Sequence, residues 1–78
     1  MKRTRVLVVW HDAHSNVTGW EEIDEIDDEP CVVHTVGWLI PDVKQGHVVV
    51  AQSWIADSET IDSVLSIPVG MVQSVQVL

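Results

Sequence analysis

The chain has 78 residues, 46% of them hydrophobic, with a formal charge of −8 and a pI near 4.5. That is enough for one small domain, residues 1–78, and its charge has the wrong sign for gripping nucleic-acid phosphates directly. A single cysteine, Cys31, excludes an internal disulfide and a cysteine-rich zinc site, and no apolar run reaches the length of a membrane span.

Thr4 to Trp10 (TRVLVVW) is a β-branched run with no helical period and reads as a strand, apolar on both faces from Val6 onward. The basic start before it imitates a signal peptide, but its apolar run is too short and reaches His11-Asp12 at once. A soluble cytoplasmic protein is therefore expected. His11 to Gly19 is polar and small, hence a loop. Trp20 to Asp27 (WEEIDEID) spaces Trp20, Ile23 and Ile26 by three among carboxylates, which predicts a short acidic helix with one apolar stripe. Pro30 ends it.

Cys31 to Ile40 is the second predicted strand, with Cys31 as a small buried hydrophobe and Gly37 marking a bulge or a close backbone approach. Lys44-Gln45-Gly46 turns the chain into a third strand, His47 to Trp54. Ile61 to Ile67 alternates, placing Ile61, Ser63, Leu65 and Ile67 on one core-facing side, so Leu65→Asp is expected to unfold the protein. Pro68-Val69-Gly70 is a tight turn, and Met71 to Leu78 is the last strand. Five short strands in so few residues close most economically into a small barrel, an all-β fold with the acidic helix in the long loop between strands 1 and 2.

Ile67-Pro68-Val69-Gly70-Met71-Val72 resembles the closing segment of SH3-like barrels, in which a strand ends in Ile-Pro, a 3₁₀ turn follows and a valine opens the last strand. The long acidic connection after strand one is similar to the first large loop of that fold. The resemblance implies the barrel. The proline-rich peptide binding of SH3 domains needs tyrosines, and this chain has no Tyr and no Phe, although Trp38 and Met71 stand at two groove-like positions. The pattern Val8-Val9-Trp10-His11-Asp12-Ala13, the pair Gly19-Trp20 and Ile67-Pro68 also resemble short uncharacterised proteins encoded by bacteriophages. That resemblance implies a small non-enzymatic protein that binds and disables something of the host's, in the host cytoplasm.

His11-x-x-His14 with Asp12 between is the sharpest local cluster. As a metal pair it would need a third ligand such as His34, His47 or a carboxylate. As an ordinary solvated loop, Asp12 would make a local turn bond. As a recognition loop, Trp10 and Trp20 flank short donors and acceptors that include His11, Asp12, His14 and Ser15, the groups a base-and-ribose ligand needs. In a chain without Phe or Tyr the tryptophans also read as core filler, Trp20 and Trp54 among them. The acidic segment Glu21 to Glu29 is a solvated face, or a decoy whose carboxylates stand in for the phosphates of DNA.

No nucleophile elbow, glycine-rich phosphate loop or CxxC is present, so neither an enzyme nor a cofactor or metal is expected. The hydrophobic surplus exceeds what so small a body buries, which predicts a homo-oligomer. The favoured function is sequestration of a small nucleotide-derived signal of bacterial immunity, with Trp10, His11, Asp12, His14, Ser15 and Trp20 as ligand-binding residues. The alternative is an acidic inhibitor or DNA mimic that docks on a basic host protein.

Overall fold

Each β-branched run read from the sequence is a strand in the computed structural model, which describes residues 3–13 and 19–78. The strands are β1 (Thr4–Asp12), β2 (Cys31–Leu39), β3 (His47–Ile55), β4 (Thr60–Pro68) and β5 (Val72–Val77). They form one antiparallel sheet in the order β4-β3-β2-β1-β5. The sheet is not closed, and β4 and β5 are its edges. Among the described residues there is no α-helix, only two 3₁₀ turns, Ile23–Glu25 and Val69–Met71.

Alternation along β1 sorts its side chains. Val6, Val8 and Trp10 are buried on the inner face, while Leu7, Val9 and His11 are half-buried on the outer one. The inner residues share one core with Val50 of β3 and Ile67 of β4, joined by Val33, Leu39, Val48, Met71 and Val72. In a flat sheet β4 would lie three strand spacings, about 14 Å, from β1. A shared core therefore requires the sheet to curl over its inner face.

The curl is located where β2 meets β3. Only two register pairs join them, Trp38↔Ala51 and Leu39↔Val50. Gly37 marks the crossing: a Cβ built there would stand 2.8 Å from the Ala51 carbonyl oxygen. The glycine read from the sequence as a close backbone approach is one, because β3 passes directly against it. A second small core of Ile40, Val49 and Ala51 forms beside this crossing.

Several expectations are corrected. The helix predicted over Trp20–Asp27 is reduced to one 3₁₀ turn, because Trp20, Ile23 and Ile26 are all exposed and have no surface to pack on. So short a helix is not stable without tertiary packing. Trp20 is therefore not core filler. β1 continues to Asp12, so His11 and Asp12 are strand residues paired with Val32 and Cys31 rather than loop residues. Cys31 is half-buried. On β4, Ile67 is 1% exposed but Leu65 and Ile61 are each 38% exposed. Ser63 interrupts the strand with a left-handed φ of 56°, and an edge strand has a neighbour on one side only.

The chain is drawn out, with extents of 54 × 22 × 22 Å and a radius of gyration of 15.9 Å. A compact chain of this length would have about 11–12 Å. Gly19 to Pro30 is exposed at every position, an arm whose side chains the sheet does not cover. No described helix is long and apolar enough to cross a membrane.

Candidate functional site

Of the six residues singled out from the sequence, His14 and Ser15 lie outside the described residues. The other four are divided between three environments. Trp10 is built into the core, and its indole N–H donates to the Thr35 hydroxyl at 2.9 Å, a partner on the cross-strand neighbour β2. His11 is half-buried on the outer face and Asp12 is exposed at the end of β1. Trp20 is fully exposed on the arm. Among the described residues no group of three His, Cys, Asp or Glu side chains is placed to hold a metal ion.

The arm carries seven carboxylates between Glu21 and Glu29, all exposed. Its shape is held locally. The Glu25 N–H donates to the Glu22 carbonyl at 3.0 Å, the Ile26 N–H to the Ile23 carbonyl at 3.3 Å, and the Glu29 N–H to the Asp27 carboxylate at 2.9 Å. Trp20, Glu21, Glu22 and Glu25 line a hollow of about 360 Å³. An indole among three carboxylates favours a cation or a basic protein surface and opposes a phosphate.

A different cluster stands at the start of β1. Arg3, Thr4, Arg5, Trp38 and Leu78 line a cleft of about 450 Å³. Register places Arg5 directly opposite Trp38, so both side chains share the outer face. Trp38 in turn meets Trp54 edge-to-face, ring centroids 5.4 Å apart at 62°. Glu59, in the turn between β3 and β4, joins the set at a left-handed φ of 53°. Its carboxylate accepts from the Arg3 guanidinium at 2.9 Å and from the Trp54 indole N–H at 3.2 Å. The Arg3 hydrogen bond chiefly holds the Glu59 carboxyl below its ordinary range; desolvation opposes this, and the Arg3 charge and the Trp54 bond reinforce it.

The sequence shows the cations gathered at the start of β1, but not that Glu59, 56 positions from Arg3, and Trp54 join them. The one signal was three cations within Lys2 to Arg5, two of which, Arg3 and Arg5, line this cleft. The arrangement can hold an anion and a flat apolar ring, and it contains no paired nucleophile and base. Compared with protein-family models, with curated proteins and with solved structures, the chain matches none.

Proposed function

We propose that this chain is a non-enzymatic binding protein that works as a homo-oligomer and sequesters a small nucleotide-derived ligand. One observation carries the proposal: a single copy leaves much of its apolar surface bare. Trp20, Ile23 and Ile26 stand exposed on the arm, and Val32 and Val36 are exposed on the outer face of β2. Register sets Val36 opposite Leu7 and Val32 opposite His11, so a stripe runs across the two strands. Val75 and Val77 are exposed on the edge strand β5. Apolar surface on that scale marks an interface. Burying Trp20 alone, some 150–250 Å², would remove apolar surface worth about 4–6 kcal/mol in gross transfer free energy, before the costs of association.

The strand order and the 3₁₀ turn between Pro68 and Val72 support an SH3-like barrel that stays open between β4 and β5. The likeness of Val8–Ala13, Gly19-Trp20 and Ile67-Pro68 to short phage proteins supports counter-defence in the host cytoplasm as the setting. The signal removed would be one of bacterial immunity.

A second reading has its own observation. The carboxylate-lined Trp20 hollow, with Ile23 and Ile26 beside it, suits docking on a basic host protein. Native mass spectrometry on protein purified gently from infected cells separates the two. A discrete oligomer carrying a few hundred extra daltons per site (roughly the mass of a small ligand), and dissociated by Trp20→Ser, is the expected result. A monomer carrying a host protein, released by charge reversal at Glu22, Glu25 and Asp28, would replace the first reading with the second.

A further inference from the structure

We propose that the cleft at the start of β1 binds a nucleoside phosphate, with the phosphate on Arg5 and Arg3 and the base against Trp38. The inference rests on the preceding reading for the ligand's biological role, and on the cleft alone for its binding. The cleft and the Trp20 hollow share no lining residue, so they are separate places.

Three features converge. First, charge: Arg3 and Arg5 are two of only four Lys and Arg residues in a chain of net charge −8. The Glu59 carboxylate pairs with Arg3 and leaves the Arg5 guanidinium to face the cleft. Arg5 makes no ion pair among the described residues, so its fork of donors is open to an oxyanion. Second, a held cation: the Glu59 carboxylate accepts from the Arg3 Nη2 atom and fixes the guanidinium, so a second positive charge lies at the cleft before an anion arrives.

Third, an aromatic wall: Trp38 is fixed by its edge contact with Trp54, and Trp54 is fixed by its bond to Glu59. An ordered indole presents stacking surface without paying for its own immobilisation, and every base has a face to offer it. The cleft, about 450 Å³, is open to solvent, so a ligand there is held by its contacts with Arg5, Arg3 and Trp38 rather than by enclosure. Inorganic phosphate uses only the cations and a nucleoside only the indole, so the geometry selects the molecule that has both.

The test is calorimetric titration of the purified protein with AMP, GMP, CMP and UMP, with adenosine and inorganic phosphate as fragments. At least one monophosphate should bind saturably, and the fragments at least about tenfold more weakly. Arg5→Gln, at an exposed position, should weaken binding by about tenfold or more. Glu59→Gln removes the competing charge from Arg3 and should tighten binding, which a merely structural role for Glu59 would not do. The proposal is overturned if none of the four monophosphates saturates the protein, if phosphate alone binds as well as a nucleotide, or if Arg5→Gln binds like the parent. Nucleotide binding by a monomer would sink the preceding reading and leave this one standing; an oligomer that binds none of the four would do the reverse.

Discussion

Gly37→Ala is the sharpest perturbation of this fold. The added methyl would sit 2.8 Å from the Ala51 carbonyl oxygen, 3.4 Å from the Ala51 carbonyl carbon and 3.4 Å from the Val50 Cβ. Two of these three atoms are backbone, so no side chain can swing aside to relieve the clash. Relief must come from moving β3 away from β2, and only Trp38↔Ala51 and Leu39↔Val50 hold that junction. Overpacking of this kind costs about 1–3 kcal/mol. A domain of this size has about 4–12 kcal/mol in total. At roughly 4–8 °C per kcal/mol, a loss of about 2 kcal/mol lowers Tm by some 8–16 °C. Thermal unfolding followed by circular dichroism at matched protein concentration measures it. Gly70→Ala is the control, since a Cβ there meets nothing within 4 Å. A Gly37→Ala protein that melts within about 2 °C of the parent would show that β3 does not cross β2 as described.

Three other predictions follow from burial and charge. Ile67→Ala should cost about 2–5 kcal/mol in urea unfolding, because Ile67 is 1% exposed in the main core. Leu65→Asp should leave a folded protein, because Leu65 is 38% exposed and its new carboxylate reaches water; loss of the folded state would return Leu65 to the core. Glu59, with its carboxyl depressed by Arg3, stabilises the fold above the unfolded-state value and loses that contribution as pH falls through the folded one. Stability should therefore fall more steeply on acidification below the ordinary glutamate range in the parent than in Arg3→Ala, and parallel acid profiles would refute this.

The strands were legible because β-branched runs are bounded by strong breakers. Pro30, Pro41 and Gly46 delimit β2 and β3, and Thr4–Trp10 needs no partner to be recognised. Gly37 was legible for a similar reason, since a glycine within a strand marks a place where the backbone bulges or another chain segment comes close. Periodicity misled where it lacked a surface to act on. Trp20, Ile23 and Ile26 have helical spacing, but spacing yields a helix only when something covers the stripe. Leu65 has the parity of Ile67, but its neighbour Ser63 is left-handed and β4 is an edge. The cleft depends on Arg3, Trp38, Trp54 and Glu59, which local pattern cannot bring together. Of the recognition loop, the pattern could not show that Trp10 is tied to Thr35 while Trp20 stands bare.

The two unpaired edges, β4 and β5, give each copy both halves of a strand-pairing joint. If β4 of one molecule pairs with β5 of the next, every addition exposes a fresh edge, and growth stops only when the turn per step closes a ring. Mutual repulsion at a charge of −8 restrains such growth at low ionic strength. Salt shortens the reach of that repulsion to about 8 Å near physiological strength and to about 3 Å at 1 M. Were β4 and β5 to pair in this way, ionic strength would set the balance between dispersed molecules and end-to-end assemblies.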